Sequence, residues 1–282
     1  MLTFVELCAG TAAVSLRLHH PRARPPVSRM GAKTGYADTI LRVLGLRPGQ
    51  QADRYLWCEP DPGVRLLLHA YRDRELATAA ADIIRGWKDE DPRALWERLR
   101  AEGPAVCPPV DALLLAKESW FRVRTMPQAQ ARGAGPGDFL PQVAPSGGCR
   151  YSDFAPAQWL EVCPTLPATI ADDARAIDPP QLLPGVVVYI DPPYLNTTGY
   201  AHDFPRSEWL PLVRAWKASG ATVCISEAEP IADLIAEGWH AVEITNERKG
   251  QKRTFSKQQA EWLTLSNPPK WRPSVQQGLF AC

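Results

Sequence analysis

Four consecutive residues, Asp191-Pro-Pro-Tyr194, carry the most specific chemical signal in this sequence. They follow Val186-Val-Val-Tyr-Ile190, a continuous apolar, β-branched run of the kind that forms a strand buried on both faces of a parallel sheet. Pro192 and Pro193 fix φ and contribute no N–H, so the backbone is stiff and offers only carbonyl acceptors. An acidic side chain, fixed carbonyl oxygens and an aromatic ring in one short segment suit an exocyclic amine on a flat heterocycle. Such an amine is a poor nucleophile because its lone pair is delocalised into the ring. If the Asp191 carboxylate and the Pro192 carbonyl accept its two hydrogens, the nitrogen becomes more tetrahedral and its lone pair more available. Tyr194 can stack on the ring, an interaction worth ~1–3 kcal/mol per base in single-strand binders. Catalysis is then largely a matter of holding that nitrogen in line with an electrophile.

A second segment, Phe4-Val-Glu-Leu-Cys-Ala-Gly-Thr-Ala-Ala13, reads as strand, small-residue turn and helix. Gly10 lets a ligand approach the backbone closely, and the helix start beyond it favours a carboxylate. Glu6, Cys8, Ala9, Gly10 and Thr11 are therefore candidate ligand-facing residues. Downstream, the short strand Tyr55–Cys58 ends in Glu59-Pro-Asp61, where Glu59 or Asp61 is placed to hold a pair of ribose hydroxyls.

The elements that must position these residues alternate in type. After the first strand and its helix comes a proline- and arginine-rich loop ending at Arg29-Met-Gly-Ala-Lys33. A helix is expected over Tyr36–Leu44, stopped by Gly45, and another over Val64–Tyr71. Residues 76–125 read as amphipathic helix. Residues 126–150 are dense in glycine and proline, a long loop of the kind that is either functional or disordered. From Gly185 onward the spacing predicts strands at 186–190, 221–225, 240–244 and 262–265, with helices at 207–219 and 231–237. Alternating β and α elements predict an α/β protein with a parallel sheet covered on both faces. The expected organisation is a catalytic domain in two parts, 1–75 and 181–267, around a helical and loop insert at 76–180. A poorly ordered tail is expected at 268–282.

Composition bounds the remaining readings. The chain has 282 residues, 45% hydrophobic and 22% charged, which fits a globular core. No run approaches the ~20 apolar residues of a membrane span. The start lacks a basic region and carries Glu6 inside its apolar run, so a cytoplasmic location is expected. Seven cysteines without a C-x-x-C pair argue against a disulfide framework or a zinc site, and they read as small core residues. A net charge of +1 does not announce a nucleic-acid partner, so that reading rests on local basic clusters. Arg122 and Arg124 follow Trp120 and Phe121, whose helical spacing places them in the core. Arg132 and Arg150 lie in the glycine-rich loop, and Arg248, Lys249, Lys252, Arg253 and Lys257 form a second cluster. Basic residues on loops flanking a crevice suit phosphate contacts.

Taken together, the motifs resemble those of the DNA amino-methyltransferases, in the DNA adenine methyltransferase-like group with D-P-P-Y near the carboxyl end. Asp191-Pro-Pro-Tyr194 matches that family's catalytic motif, Glu6 to Ala13 looks like its cofactor motif, and Tyr55 to Asp61 like its acidic ribose-binding strand. Glu261-Trp-Leu-Thr-Leu-Ser-Asn267 is similar to its closing strand. The resemblance implies a Rossmann-like, doubly wound, mostly parallel seven-stranded sheet with an antiparallel last strand and an inserted target-recognition region. It implies S-adenosylmethionine as methyl donor, duplex DNA as partner and a flipped adenine as target. Asp191, Pro192, Pro193 and Tyr194 would bind the target. Glu6, Cys8, Ala9, Gly10, Thr11, Glu59 or Asp61, and Asp172 would line the cofactor site. Lys33 resembles a G-x-K lysine that contacts the cofactor carboxylate, although in the family that element precedes the cofactor motif and here it follows. Ala12 stands where a glycine is usual, which negative φ would tolerate, and Cys8 replaces a phenylalanine. No metal is expected. Competing expectations are an N4-cytosine or RNA target, and, in another class, a catalytically silent binding protein. The compact size suggests a stand-alone modifier in phage or bacterial style, by analogy alone.

Overall fold

A computed structural model of the chain describes residues 1–23, 25, 33–102, 110–124, 155–177, 179, 185–194, 203–247 and 260–273. The strands are β1 (Thr3–Leu7), β2 (Arg54–Cys58), β3 (Ala168–Ala171), β4 (Val186–Ile190), β5 (Thr222–Glu227), β6 (His240–Glu243) and β7 (Trp262–Leu265). They form one sheet of seven strands in the order β3-β2-β1-β4-β5-β7-β6. β1 pairs in parallel with β2 and β4, β2 with β3, and β4 with β5. β7 runs antiparallel to both β5 and β6. The expected α/β class, the mostly parallel sheet and its antiparallel closing strand are all present, and the arrangement is compatible with a Rossmann-like fold.

Strand alternation sends successive side chains to opposite faces, and each face has its own helical cover. Phe4, Tyr55, Trp57, Tyr189 and Leu263 lie in one buried cluster. It is shared by α1 (Ala13–His19), α2 (Ala37–Val43), α3 (Pro62–His69), α4 (Arg74–Gly86), α5 (Pro92–Ala101), α6 (Ala112–Arg124) and α7 (Ala155–Val162). On the other face Val5, Leu7, Val188, Ile190, Val223 and Ile225 pack with Trp209, Val213 and Trp216 of α8 (Arg206–Ala218) and Leu234 of α9 (Ala232–Ala236). Burial of these apolar faces supplies the main favourable term, at roughly 25 cal/mol per Å² removed from water.

Three details depart from the expected organisation. The amphipathic block at 76–125 is three helices, and β3 was not foreseen at all. β3 joins the main sheet as an edge strand, so the segment 76–180 contributes to the sheet as well as to its helical cover. Its Ala-Thr-Ile-Ala sequence has too little alternation or bulk to announce a strand. The tail is a correction for residues 268–273. Lys270 N–H donates to the Val43 carbonyl at 2.9 Å, the Arg42 guanidinium lies 3.7 Å from the Trp271 ring centre, and Arg272 donates to the Ala241 carbonyl. Residues 274–282 lie outside the described residues, as does the whole 126–150 loop. Gly45 ends α2 as expected, in the left-handed region at φ 78°. Cys58, Cys163 and Cys224 are buried free thiols and Cys8 is half-buried; Cys107, Cys149 and Cys282 lie outside the described residues. No helix among the described residues is long and apolar enough to cross a membrane.

Candidate functional site

Strand order decides where the two motifs meet. From β1 the chain winds one way through β2 and β3, and the other way through β4 and β5, so β1 and β4 flank the switch point of the sheet. Ligand crevices open outside the carboxyl ends of strands at such a point. Leu7 and Ile190 are register partners, and the Asp191 N–H donates to the Leu7 carbonyl at 3.4 Å. Asp191 therefore leaves β4 beside the turn that leaves β1.

That turn is a run of alternating backbone hands. Cys8, Gly10 and Ala12 have φ of 59°, 52° and 50°. Alternation of this kind turns successive N–H groups to one side, a concavity suited to an anion. The anion that fills it is internal: the Glu59 carboxylate accepts the Gly10 N–H at 2.7 Å and the Asp61 N–H at 3.0 Å. Next to Gly10 the space is open, and a Cβ placed there would meet no other side chain or backbone within 4 Å. The Thr11 hydroxyl is buried with no hydrogen-bond partner among the described residues.

Several expected assignments change once the side chains are in place. Glu6 is buried, and its carboxylate accepts the Val14 and Ser15 N–H groups at 3.3 and 3.0 Å. The first amides of α1, expected to greet a ligand carboxylate, are thus engaged from within the sheet. Burial pushes the Glu6 carboxyl up to about 7, opposed by its hydrogen bonds to Ser15 and Val14. Ser15 also accepts the Trp57 indole N–H at 2.9 Å, which ties α1 to β2. Ala12 does not have the negative φ that would make its replacement of glycine harmless. Left-handed backbone costs a residue with a Cβ roughly 1–2 kcal/mol. Between Glu59 and Asp61 the geometry discriminates. Asp61 caps α3 through the Gly63 and Val64 N–H groups and meets Arg122 at 3.2 Å. Glu59 is the acid turned toward the β1 turn. Asp172 follows β3 at the same edge of the sheet and is exposed.

Lys33, expected to contact a cofactor carboxylate, lies against Asp191. It is only 6% exposed, and its ammonium donates to both Asp191 oxygens at 2.7 and 2.8 Å. The same Nζ lies 4.9 Å from the Tyr194 ring centre and 3.8 Å from Glu261 Oε1. Tyr194 donates its hydroxyl to that Glu261 oxygen at 2.5 Å. Burial and the neighbouring Asp191 and Glu261 carboxylates hold the Tyr194 phenol well above its ordinary range, so it stays a donor. Glu261 itself is raised by burial, with Lys33 pulling it back down. Glu227, at the carboxyl end of β5, is likewise buried, and desolvation raises its carboxyl to about 7. Neither acid was singled out from the sequence. Glu227 carries the signal that Asp191 does, an acid ending an apolar strand. Glu261 begins its strand, and it shares this edge of the sheet only because β7 runs in reverse.

The expected nucleic-acid residues divide differently. Arg122 is corrected: its guanidinium is ion-paired to Glu118 and Asp61 between α6 and α3, so its charge serves helix docking. Trp120 is core, edge-on to Trp87 at 6.4 Å, and Phe121 stacks on Trp96 at 5.7 Å. Arg124 ends α6, but its side chain lies outside what is described, as do Arg132, Arg150, Arg248, Lys249, Lys252, Arg253 and Lys257. Among the described residues no cluster of His, Cys, Asp or Glu is gathered as metal ligands would be.

A scan against models of known protein families matched none of them, and a search of curated proteins returned no significant match. The functional reading therefore rests on the geometry just described.

Proposed function

We propose that this chain is an S-adenosylmethionine-dependent methyltransferase acting on the N6 amino group of adenine in DNA. The observation that carries the reading is the junction of Asp191-Pro-Pro-Tyr194 with the Gly10 turn across β1 and β4. One segment is suited to an exocyclic amine, the other to a ligand lying against bare backbone, and they adjoin at the switch point where ligands bind in such sheets.

The residues fit the cofactor on two counts. Open ground at Gly10 admits a ligand against the turn, and Glu59 stands beside it with oxygens that can each accept more than one hydrogen bond. Bound there, S-adenosylmethionine supplies a sulfonium methyl as electrophile. The protein's own part is positioning. Asp191 and the Pro192 carbonyl accept the hydrogens of the target amine, and Tyr194 stacks on the flipped base. Lys33 already donates to both Asp191 oxygens and so aims that carboxylate, whose oxygens can each accept more than one hydrogen bond. Bonding of the amine nitrogen to the methyl carbon would break the carbon–sulfur bond, its electron pair returning to sulfur as a neutral thioether; one amine proton must also leave, and the Asp191 carboxylate is the adjacent acceptor.

The test is transfer of labelled methyl to unmethylated duplex DNA and to RNA, with nucleoside digestion and mass spectrometry. N6-methyladenine in DNA is the expected product. Label in cytosine or only in RNA would retain the chemistry and replace the substrate. Absence of both transfer and S-adenosylmethionine binding would overturn the enzyme reading.

A further inference from the structure

Glu261 is a carboxylate with only 3% of its side chain exposed, a costly position unless its charge and lone pairs are met. Its backbone is pinned on both sides: its N–H donates to the Thr245 hydroxyl oxygen at 2.9 Å, and its carbonyl accepts the Ile244 N–H at 2.8 Å. Thr245 is fixed in turn, its hydroxyl donating to Glu243 and its carbonyl accepting from the Tyr36 phenol. The carboxylate is therefore presented from a rigid base. It is aimed at two side chains, the Tyr194 hydroxyl at 2.5 Å and the Lys33 ammonium at 3.8 Å. The Ser226 hydroxyl on β5 helps hold its carboxyl down, and Ser226 is itself bonded to the Tyr189 phenol at 2.8 Å.

Both targets of that carboxylate bear on Asp191. Lys33 binds the two Asp191 oxygens, and Tyr194 closes the same four-residue segment with its ring face toward the lysine ammonium. A tyrosine ring turns about two side-chain bonds, and a tether at the hydroxyl removes the freedom that packing leaves. A lysine has four such bonds, so a second anion behind it narrows where its ammonium can sit.

We infer that Glu261 is a positioning residue, a carboxylate delivered by the reversed strand β7 that holds the Tyr194 ring and the Lys33 ammonium in the poses that Asp191 requires. This rests on the methyl-transfer reading for its consequence, but the contact network stands apart from it. A filler role would make Glu261 interchangeable with any group that satisfies the core. A positioning role makes the chemistry step, and not the binding steps, sensitive to its charge and reach.

The experiment compares the full chain with Glu261→Gln, Tyr194→Phe and the double variant. Glutamine keeps the shape and one acceptor while removing the charge, so the fold is retained; melting curves verify that. Steady-state transfer to DNA is expected to lose about 10- to 100-fold in kcat for Glu261→Gln, the range a small misplacement at a reacting centre produces. The KM for DNA and calorimetric S-adenosylmethionine affinity should stay within about twofold. The double variant should be no slower than the worse single variant, because both changes sever one link. An unchanged kcat, or multiplicative losses in the double variant, would overturn the inference.

A second readout does not need activity. With ring-labelled tyrosine, the Tyr194 resonance is identified by its disappearance in Tyr194→Phe. In Glu261→Gln it should move and broaden while the resonance of Tyr71, buried elsewhere, does not. A Tyr194 signal unmoved by Glu261→Gln would overturn the inference even if the wild-type chain methylates DNA. A moved signal in a chain that transfers no methyl group would sustain the positioning role and reject the methyl-transfer reading.

Discussion

Removing the Lys33 ammonium should expose the electrostatic strain built into this site. Lys33→Met keeps most of the side-chain volume and deletes the charge. The ammonium lies 2.7 Å from Asp191 and 3.8 Å from Glu261, with side-chain exposures of 7%, 19% and 3% for the three groups. At an effective dielectric of ~20 those separations correspond to attractions of about 6 and about 4 kcal/mol. Desolvation of all three groups offsets much of this, and breaking a buried pair by removing one partner costs about 3–5 kcal/mol. Partial water access at Asp191 puts the expected loss near the lower end, about 3 kcal/mol at neutral pH and above. The loss has a definite pH sign. Burial already raises the Glu261 carboxyl and Lys33 is the largest influence pulling it down, so without Lys33 the folded chain holds that proton more tightly still. Stability contributed by such a raised carboxyl is full at low pH and drains away as pH rises through the folded value. Urea unfolding followed by tryptophan fluorescence should therefore show a deficit of about 3 kcal/mol near pH 8 that is smaller near pH 5. A deficit under about 1 kcal/mol at both pH values would mean that Lys33 behaves as an exposed lysine, and the reasoning would fail.

Other consequences are simpler to state. Asp191→Ala should abolish methyl transfer while leaving calorimetric S-adenosylmethionine binding in place; retained turnover removes Asp191 from the mechanism. Ala12→Gly should leave the melting midpoint nearly unchanged, because relief of about 1–2 kcal/mol of left-handed strain balances a lost buried methyl and added chain entropy. Ala13→Gly, one residue into α1, has no strain to relieve and should cost about 2 kcal/mol; equal effects at the two positions would contradict the backbone assignment. Glu6→Gln should flatten the stability profile between the ordinary carboxylate value of 4.5 and about 7, where the buried wild-type acid loses its contribution as pH rises. The slope removed integrates to about 3 kcal/mol, and an unchanged profile would show that Glu6 does not titrate in that window.

Which parts of this architecture were legible beforehand follows from how local their causes are. Val186–Ile190 reads as a buried strand because five apolar, largely β-branched residues in a row admit little else, and the rigidity of Asp191-Pro-Pro-Tyr194 is a property of proline itself. The alternation of strand and helix, with glycine or aspartate at element boundaries, gave the fold class and most strand positions. β3 was missed because an edge strand of small residues draws its stability from pairing with β2 and little from its own propensity. The amphipathic run at 76–125 could not reveal that its helices bury their apolar faces against one another and against α3 and α7.

The site divides along the same line. Sequence alone determined that an acid, two prolines and a tyrosine end a central strand, and that a glycine turn ends the first one. Tertiary structure decided what surrounds them. Lys33 and Asp191 are 158 residues apart, and no local pattern distinguishes a lysine buried in an ion pair from one in solvent. Glu6 looked like a ligand-facing acid, yet the amides of α1 engage its carboxylate, because buried N–H groups must be met by an acceptor. Arg122 looked like a phosphate contact until Glu118 and Asp61 were brought beside it. Glu261 entered the site through strand direction alone: β7 runs in reverse, so its leading residue lies at the edge where β1, β4 and β5 end. Charges act through space over a few ångströms, and those distances exist only after the chain has folded.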